Sequence, residues 1–438
     1  MPRIVGGFEA PAGRVHRRAM VAFQEMKRSA DERLLHERLS DVADASPARV
    51  ALTDGLRTAT FAEVWAMSGD IAARLLTAGL RPGEIVALVI PRSIEIVAAA
   101  FGVLRAGGVV FGMDPHAPAP RSERLMAASG ARHALVSGST PPWLGPVEII
   151  DLSRPHTTPG TPLNGHDIEP SAPAFLIFTS GSTGDPKGVL ISHAAAGRRA
   201  DAERVLLSVD ADTVYLYRTR TDLVGFLVTL AVQANGAPLV IVADQRDDDP
   251  RSVLAAIEAH GVTHAAIPPR LLREIIRRGE ASRGLRSVRR LRCSGEPLPE
   301  DLAAAVLAAL PECLVRDEYG ATETAGVVAF RDIRRKGRPT SSGSAAGPGA
   351  TLRVVDEAGA DSEAGEIWVE GPLLALGYLG GDDEARQRFV VSEREGERHR
   401  AYRTGDRGRR QPDGTIRILG QVGETYAVGT AIAEIEEG

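Results

Sequence analysis

Two cysteines, Cys293 and Cys313, are all that the 438 residues contain. They are too few for a disulfide framework and lack the clustered spacing of a zinc site, so both read as core thiols. Aromatic residues are scarce, at 4%. No uninterrupted apolar run approaches the ~20 residues that span a bilayer; even residues 85–113 are broken by Pro91, Arg92, Glu95 and Arg105. The first 30 residues mix Arg, Glu and Lys without an apolar centre, which excludes a signal-peptide pattern there. Neither sign of charge dominates. Against 57 aspartates and glutamates stand 52 lysines and arginines, a formal net charge of -5, which gives no electrostatic reason to bind nucleic acid or an anionic membrane. These absences lead to the expectation of a cytoplasmic protein without nucleic-acid or membrane partners.

What is present is a globular composition, with 43% hydrophobic and 25% charged residues and 46 glycines. The length exceeds what one core usually serves, so two or more subdomains are expected. Residues 1–45 form an N-terminal segment, helical in part, with an amphipathic helix over 36–45 before Pro47. From residue 51 short apolar runs (85–90, 108–113) alternate with helical patterns (61–78, 94–106), the signature of βαβ units around a mainly parallel sheet. Residues 153–173 read as a surface connection. A second cycle follows, with strands over 214–217, 238–242 and 264–267 and helices over 253–260 and 271–278. The basic run 331–349 reads as a solvated loop and boundary, after which strands over 351–355, 365–370 and 415–419 predict a small β-rich subdomain. The expected fold class is therefore α/β, two βαβ-type subdomains with mainly parallel sheets (46–172 and 173–340) plus a β-rich subdomain (341–420), with 421–438 as a hinge.

The chemistry concentrates in residues 175–193, FLIFTSGSTGDPKGVLISH. An apolar strand runs into Thr179, Ser180, Gly181, Ser182, Thr183 and Gly184, with Lys187 close behind. Hydroxyls, glycines and one ammonium in so short a loop can turn backbone N–H groups, side-chain donors and a positive charge toward polyphosphate oxygens. Pro186 precedes the lysine and no Ser or Thr follows it, which excludes the Walker motif. On composition alone the segment also reads as a flexible Gly/Ser turn.

This segment resembles the phosphate-binding loop of the adenylate-forming superfamily, which holds acyl-CoA and aryl-CoA synthetases, luciferases and nonribosomal peptide synthetase adenylation domains. Further segments resemble the family's in the right order. Residues 104–115 (LRAGGVVFGMDP) are similar to its glycine-turn segment, and residues 317–324 (DEYGATET) to its adenine and magnesium segment. Gly365 to Tyr378 is similar to its Gly-Glu strand and Gly-Tyr pair, and residues 402–406 (YRTGD) to its ribose-binding segment. The resemblance implies that Thr179, Ser180, Gly181, Ser182, Thr183, Gly184 and Lys187 hold the phosphates of ATP. It assigns Tyr319 to adenine stacking, Thr322 to a phosphate, Glu323 to Mg2+ and Asp406 to the ribose hydroxyls. Thr179, Lys187 and Glu323 are the expected catalytic residues.

Amino-acid-activating members of this family place an aspartate against the substrate ammonium, and Asp222 in RTRTDLVGF occupies that place. The alternative is a helix-capping aspartate before residues 223–230. The pocket lining carried over by motif is Leu223, Phe226, Ala266, Arg292, Ser294, Glu318, Gly326 and Val327. Buried charges are expensive unless paired with each other or with substrate, so Arg292 and Glu318 lead to the expectation of a polar substrate side chain. If the two neutralise one another, the pocket is instead small and the substrate modest in size.

The family's hinge and its small carboxy-terminal lid, whose lysine meets the reacting carboxylate, are not matched. Gly420 is followed by Gln421, Val422, Gly423 and Glu424, and the expectation is a degenerate hinge and a missing lid. Glu434 to Glu436 still resembles the family text beyond the hinge, which favours an excised or interrupted domain over natural loss of the lid. Adenylation would then be impaired while ATP binding persists. The resemblance is nearest to an adenylation domain of nonribosomal peptide and antibiotic biosynthesis. It implies an amino acid activated as aminoacyl-AMP with release of pyrophosphate, then passed to the phosphopantetheine thiol of a carrier protein, and it leaves room for a small helper protein. A coenzyme A ligase of a non-amino acid and a non-catalytic nucleotide-binding remnant are the alternatives.

Overall fold

The computed structural model of the chain describes residues 33–154, 168–180, 186–244, 248–334, 345–381, 383–394 and 396–421. The alternation of Val/Ile/Leu runs with helices builds two large sheets. One has seven strands, in spatial order Gly377–Tyr378, Pro186–Ser192, Pro173–Ser180, Val109–Gly112, Ile85–Val89, His133–Val136 and Glu148–Asp151. Its strands Val109–Gly112, Ile85–Val89 and His133–Val136 are parallel and buried almost throughout, which is why they read as continuous apolar runs. The other has nine, in the order Ala345–Ala346, Gly326–Ile333, Leu314–Ala321, Arg290–Cys293, His264–Ala266, Tyr215–Tyr217, Leu239–Ile241, Val50–Thr53 and Thr58–Thr60. It is parallel at its centre and antiparallel at both edges.

The linear division at residues 172 and 173 is not the division between these sheets. Strands Pro173–Ser180 and Pro186–Ser192 complete the sheet of residues 85–151 through the pair Val110 and Phe175. Val50–Thr53 joins the later sheet through Leu52 and Leu239. Periodicity reveals that a strand exists, but the sheet edge that receives it is decided by long-range packing, which no local pattern carries.

Helices form where expected, with ends shifted by a few residues. Phe61–Thr77 opens with a reciprocal cap: the Thr60 hydroxyl accepts from the Glu63 N–H at 3.2 Å, and the Glu63 carboxylate accepts from the Thr60 N–H at 2.7 Å. Residues 351–421 contribute the expected β-rich unit, an antiparallel sheet of Thr351–Val355, Ala364–Glu370, Glu397–Arg410 and Phe389–Arg394, with Ile416–Gln421 paired to Glu397–Arg410. Within the basic run expected as a loop, residues 331–333 continue the strand Gly326–Ile333. Both cysteines are buried and reduced, as expected, and burial pushes the Cys313 thiol up to about 12.

The carboxyl ends of the two large sheets face each other. Arg92, beyond Ile85–Val89, donates through Nη2 to Asp244 beyond Leu239–Ile241 at 2.8 Å. At Gly112 a β-carbon would lie 2.0 Å from the Thr221 carbonyl oxygen, so only glycine allows this approach. Thr221 also donates its hydroxyl to the Met113 carbonyl at 3.1 Å. Crevices at the carboxyl ends of parallel strands are where open α/β sheets bind ligands.

Candidate active site

Strands Pro173–Ser180 and Pro186–Ser192 pair antiparallel, with Thr179 opposite Lys187 and Ser180 opposite Pro186. Gly181, Ser182, Thr183 and Gly184 lie outside the described residues. Thr179 and Lys187 line a cavity of about 1160 Å³ together with Glu323, Tyr378 and Tyr402. Glu323 sits in the single 3-10 turn Thr322–Thr324, buried, with its Oε1 accepting from the Tyr378 hydroxyl at 2.8 Å. Burial, then the adjacent Glu323 carboxylate, pushes the Tyr378 phenol upward, so it stays a donor.

Gly405 and Arg407 line the same cavity and flank Asp406. The segment 402–406 lies within the long strand Glu397–Arg410 and is pinned by Glu366 of the neighbouring strand. Glu366 accepts from the Gly405 N–H at 3.0 Å and from Arg403 Nη2 at 2.9 Å. Gly405 has φ +76, a conformation suited to glycine. The Tyr319 hydroxyl donates to Asp406. Burial raises the Asp406 carboxyl, opposed by that hydrogen bond and by Arg388. Tyr319 and Asp406, distant in sequence, are thus one hydrogen-bonded pair beside the cavity. Thr322 opens the 3-10 turn, where its carbonyl accepts from Ala325.

The candidate pocket residues come one strand at a time. Ala266, Arg292 and Glu318 sit on three consecutive parallel strands, with Ala266 in register with Arg292. Gly326 and Val327 begin the next strand, and the buried Phe226, stacked on Tyr217 at 5.9 Å, comes from the helix Val224–Ala234. Leu223 and Ser294 are exposed, away from this buried group.

Arg292 and Glu318 are already partnered. Arg292 donates through Nε to Glu318 and through Nη1 to Glu203, each at 2.7 Å. Glu203 also lies 3.5 Å from Arg199, whose Nη1 donates to the Val327 carbonyl at 2.7 Å. All four side chains are almost wholly buried, and two positive and two negative charges cancel. The expectation that these charges await a polar substrate side chain therefore gives way to mutual neutralisation. Arg199 and Glu203, on the helix His193–Leu207, were not singled out in the sequence; they are two of five charged residues in that helix, and their i, i+4 spacing was the available signal.

Asp222 is not a helix cap, because Leu223 holds that position and no side chain caps it. Instead it accepts from Arg220 Nε at 2.9 Å and Nη2 at 2.6 Å. Among the described residues no cluster of three or more His, Cys, Asp or Glu could hold a metal, and no helix is long and apolar enough to cross a membrane.

Comparison with known proteins places this geometry. The family described as "AMP-binding enzyme" matches residues 39–379. Pyochelin synthetase PchE of Pseudomonas aeruginosa is 35% identical over 385 residues, which cover 84% of this chain and 26% of PchE. The chain thus spans about a quarter of that relative's length. The nonribosomal peptide synthetase FmoA3 superposes with a TM-score of 0.79 at 28% identity, covering 92% of this chain and 44% of that one. The N-terminal subdomain of Klebsiella oxytoca NpsA, in complex with 3-hydroxybenzoyl-AMSN, gives 0.79 at 22% identity, covering 89% of this chain and all of that one. The chain belongs to the AMP-binding enzyme family, and it is similar to part of a nonribosomal peptide synthetase of known structure.

Proposed function

We propose that the chain activates an amino acid as its adenylate: a carboxylate oxygen of the acid attacks the α-phosphorus of ATP, the bond to the β-phosphate oxygen breaks, and pyrophosphate leaves. A carrier-protein phosphopantetheine thiol is then the acceptor, consistent with the synthetase relatives. The observation that carries the reading is the common cavity of Thr179, Lys187 and Glu323 with Gly405 and Arg407, the strand residues on either side of Asp406. Lys187 and Thr179, with Ser180, Gly181, Ser182, Thr183, Gly184 and Thr322, hold the phosphates. Tyr319 meets the adenine and Asp406 the ribose. Such positioning and charge neutralisation is what this displacement needs.

Glu323 is a single buried carboxylate in that cavity, which suits a magnesium ion that arrives on phosphates and keeps most of its water. When bound, that ion would neutralise charge on the departing pyrophosphate. Asp222 receives the substrate ammonium, and the side chain enters between Phe226, Ala266, Gly326 and Val327, with Leu223 and Ser294 nearer the opening. Because Arg292 and Glu318 are spent on each other and on Glu203, the substrate side chain is short and uncharged.

A second reading, activation of a non-amino acid, is favoured by one observation: Asp222 already holds a cation, Arg220. Calorimetry with ATP and with a non-hydrolysable aminoacyl-adenylate analogue tests the proposal. The analogue should bind more tightly than ATP and AMP; equal affinity for analogue and AMP would contradict activation of any acid and leave a nucleotide-binding protein.

A further inference from the structure

Asp222 and its cations differ in their access to water. The Asp222 side chain is 10% exposed, whereas Arg220 is 41% and Arg121 51% exposed. A sheltered carboxylate is therefore balanced by guanidiniums that reach it from the solvent side. Arg220 grips both Asp222 oxygens in a fork, and Arg121, from the helix Ala119–Ser129, stands 3.7 Å away. An ion pair whose cation is open to water is held weakly, by a bias on the order of fivefold, small enough for a ligand to overcome.

Arg220 also has a second carboxylate within reach. Its Nη2 is 3.3 Å from Asp114, which follows the strand Val109–Gly112 of the opposite sheet. The two aspartates thus lie on facing sheet ends with one guanidinium between them. A small rotation of Arg220 toward Asp114 would bare Asp222 and keep the charges balanced: the incoming ammonium on Asp222, the guanidinium on Asp114.

We propose that Arg220 is the resting counter-ion of Asp222 and a specificity-determining residue, displaced onto Asp114 by the substrate ammonium. This inference rests on the reading of Asp222 as the amine site. Its consequence runs against intuition, since Arg220 weakens the preference for amino acids. It competes with an ammonium, and it neutralises Asp222 for an acid that brings none, which would otherwise meet a bare and sheltered carboxylate. Removing it should sharpen discrimination.

The test uses two probes that differ only by the amine, alanyl-sulfamoyl adenosine and propionyl-sulfamoyl adenosine, with dissociation constants measured by calorimetry. Replacing Arg220→Ala should tighten the alanyl probe about threefold to fivefold and weaken the propionyl probe, raising the ratio of their affinities about fivefold or more. Arg220→Lys should fall between. An unchanged affinity for AMP would show that each variant is folded. If Asp222→Ala abolishes the amine preference while Arg220→Ala leaves the ratio unchanged or lowers it, the inference about Arg220 is wrong and the reading of Asp222 stands. If Asp222→Ala keeps the wild-type ratio, Asp222 is not the amine site and both fall together.

Discussion

The two halves of the site solve opposite problems. On the side proposed for the nucleotide, Thr179, Lys187 and Glu323 border an open cavity, and hydrogen bonds there hold a strand segment and a carboxylate beside it. On the acid side, Arg199, Glu203, Arg292 and Glu318 turn inward and satisfy one another away from water. The first half lines open space with polar groups, as the proposed binding of a polyanion requires. The second uses charge as packing, which in the proposed function leaves selectivity to shape and to Asp222. The difference teaches that a charged residue at a pocket position is evidence about a substrate only after its neighbours have been counted.

Breaking the acid side should have the largest effect. Arg292→Met leaves Glu318 buried without its cation and Glu203 with Arg199 alone, and should lower stability by about 3–5 kcal/mol in urea unfolding. Replacing Arg199, Glu203, Arg292 and Glu318 together by apolar residues of similar volume should be close to neutral. A mild effect of the single change would mean that the cluster is wet and available to substrate. On the nucleotide side, Lys187→Met should reduce pyrophosphate exchange by about 10²–10³-fold with little change in stability, since one preorganised charge at the reacting phosphates has that worth.

A third test separates packing from chemistry by pH. His193 is pushed down to about 4 and His36 to about 3, both chiefly by burial, and their rings are 6.2 Å apart. Above their ordinary value of 6.5 both are neutral, folded or unfolded, and no stability is lost. Below it the unfolded chain takes up protons that the fold refuses, so stability falls from pH 6.5 toward pH 4, by on the order of 3 kcal/mol for His193 alone. Urea midpoints of wild type and His193→Gln between pH 7 and pH 4.5 should diverge in slope, with the variant flatter. The smallest effect is expected at Tyr319→Phe. Losing the hydrogen bond to Asp406 should change the KM for ATP about fivefold and spare stability.

The same contrast explains what was legible in the sequence. Residues proposed for the nucleotide come in short contiguous runs, 175–193, 317–324 and 402–406; the composition of the first suits polyphosphate, and the adenine and ribose roles of the other two come from the family resemblance. The strand and helix order was likewise readable, because each element carries its own periodicity. The sheet that each strand joins was not, and neither were contacts between elements far apart in the chain: Glu366 beneath Gly405, Tyr378 on Glu323, Glu203 on Arg292, Arg220 poised between Asp222 and Asp114. Each of these is an ordinary surface or core residue until the fold brings its partner. Asp222 was legible only as the counterpart of the family's amine-binding aspartate, and its counter-ion two residues earlier, plain in the text RTRTD, became meaningful only through the geometry.

Acid-dependent exchange of labelled pyrophosphate into ATP, run on the full-length polypeptide with a panel of small amino acids and their des-amino counterparts, tests the account most directly. It predicts exchange with at least one short, uncharged amino acid, a much weaker signal with the matching des-amino acid, and loss of that preference in Asp222→Ala. Exchange driven equally well by an acid and its des-amino counterpart, or by no acid at all, would contradict it.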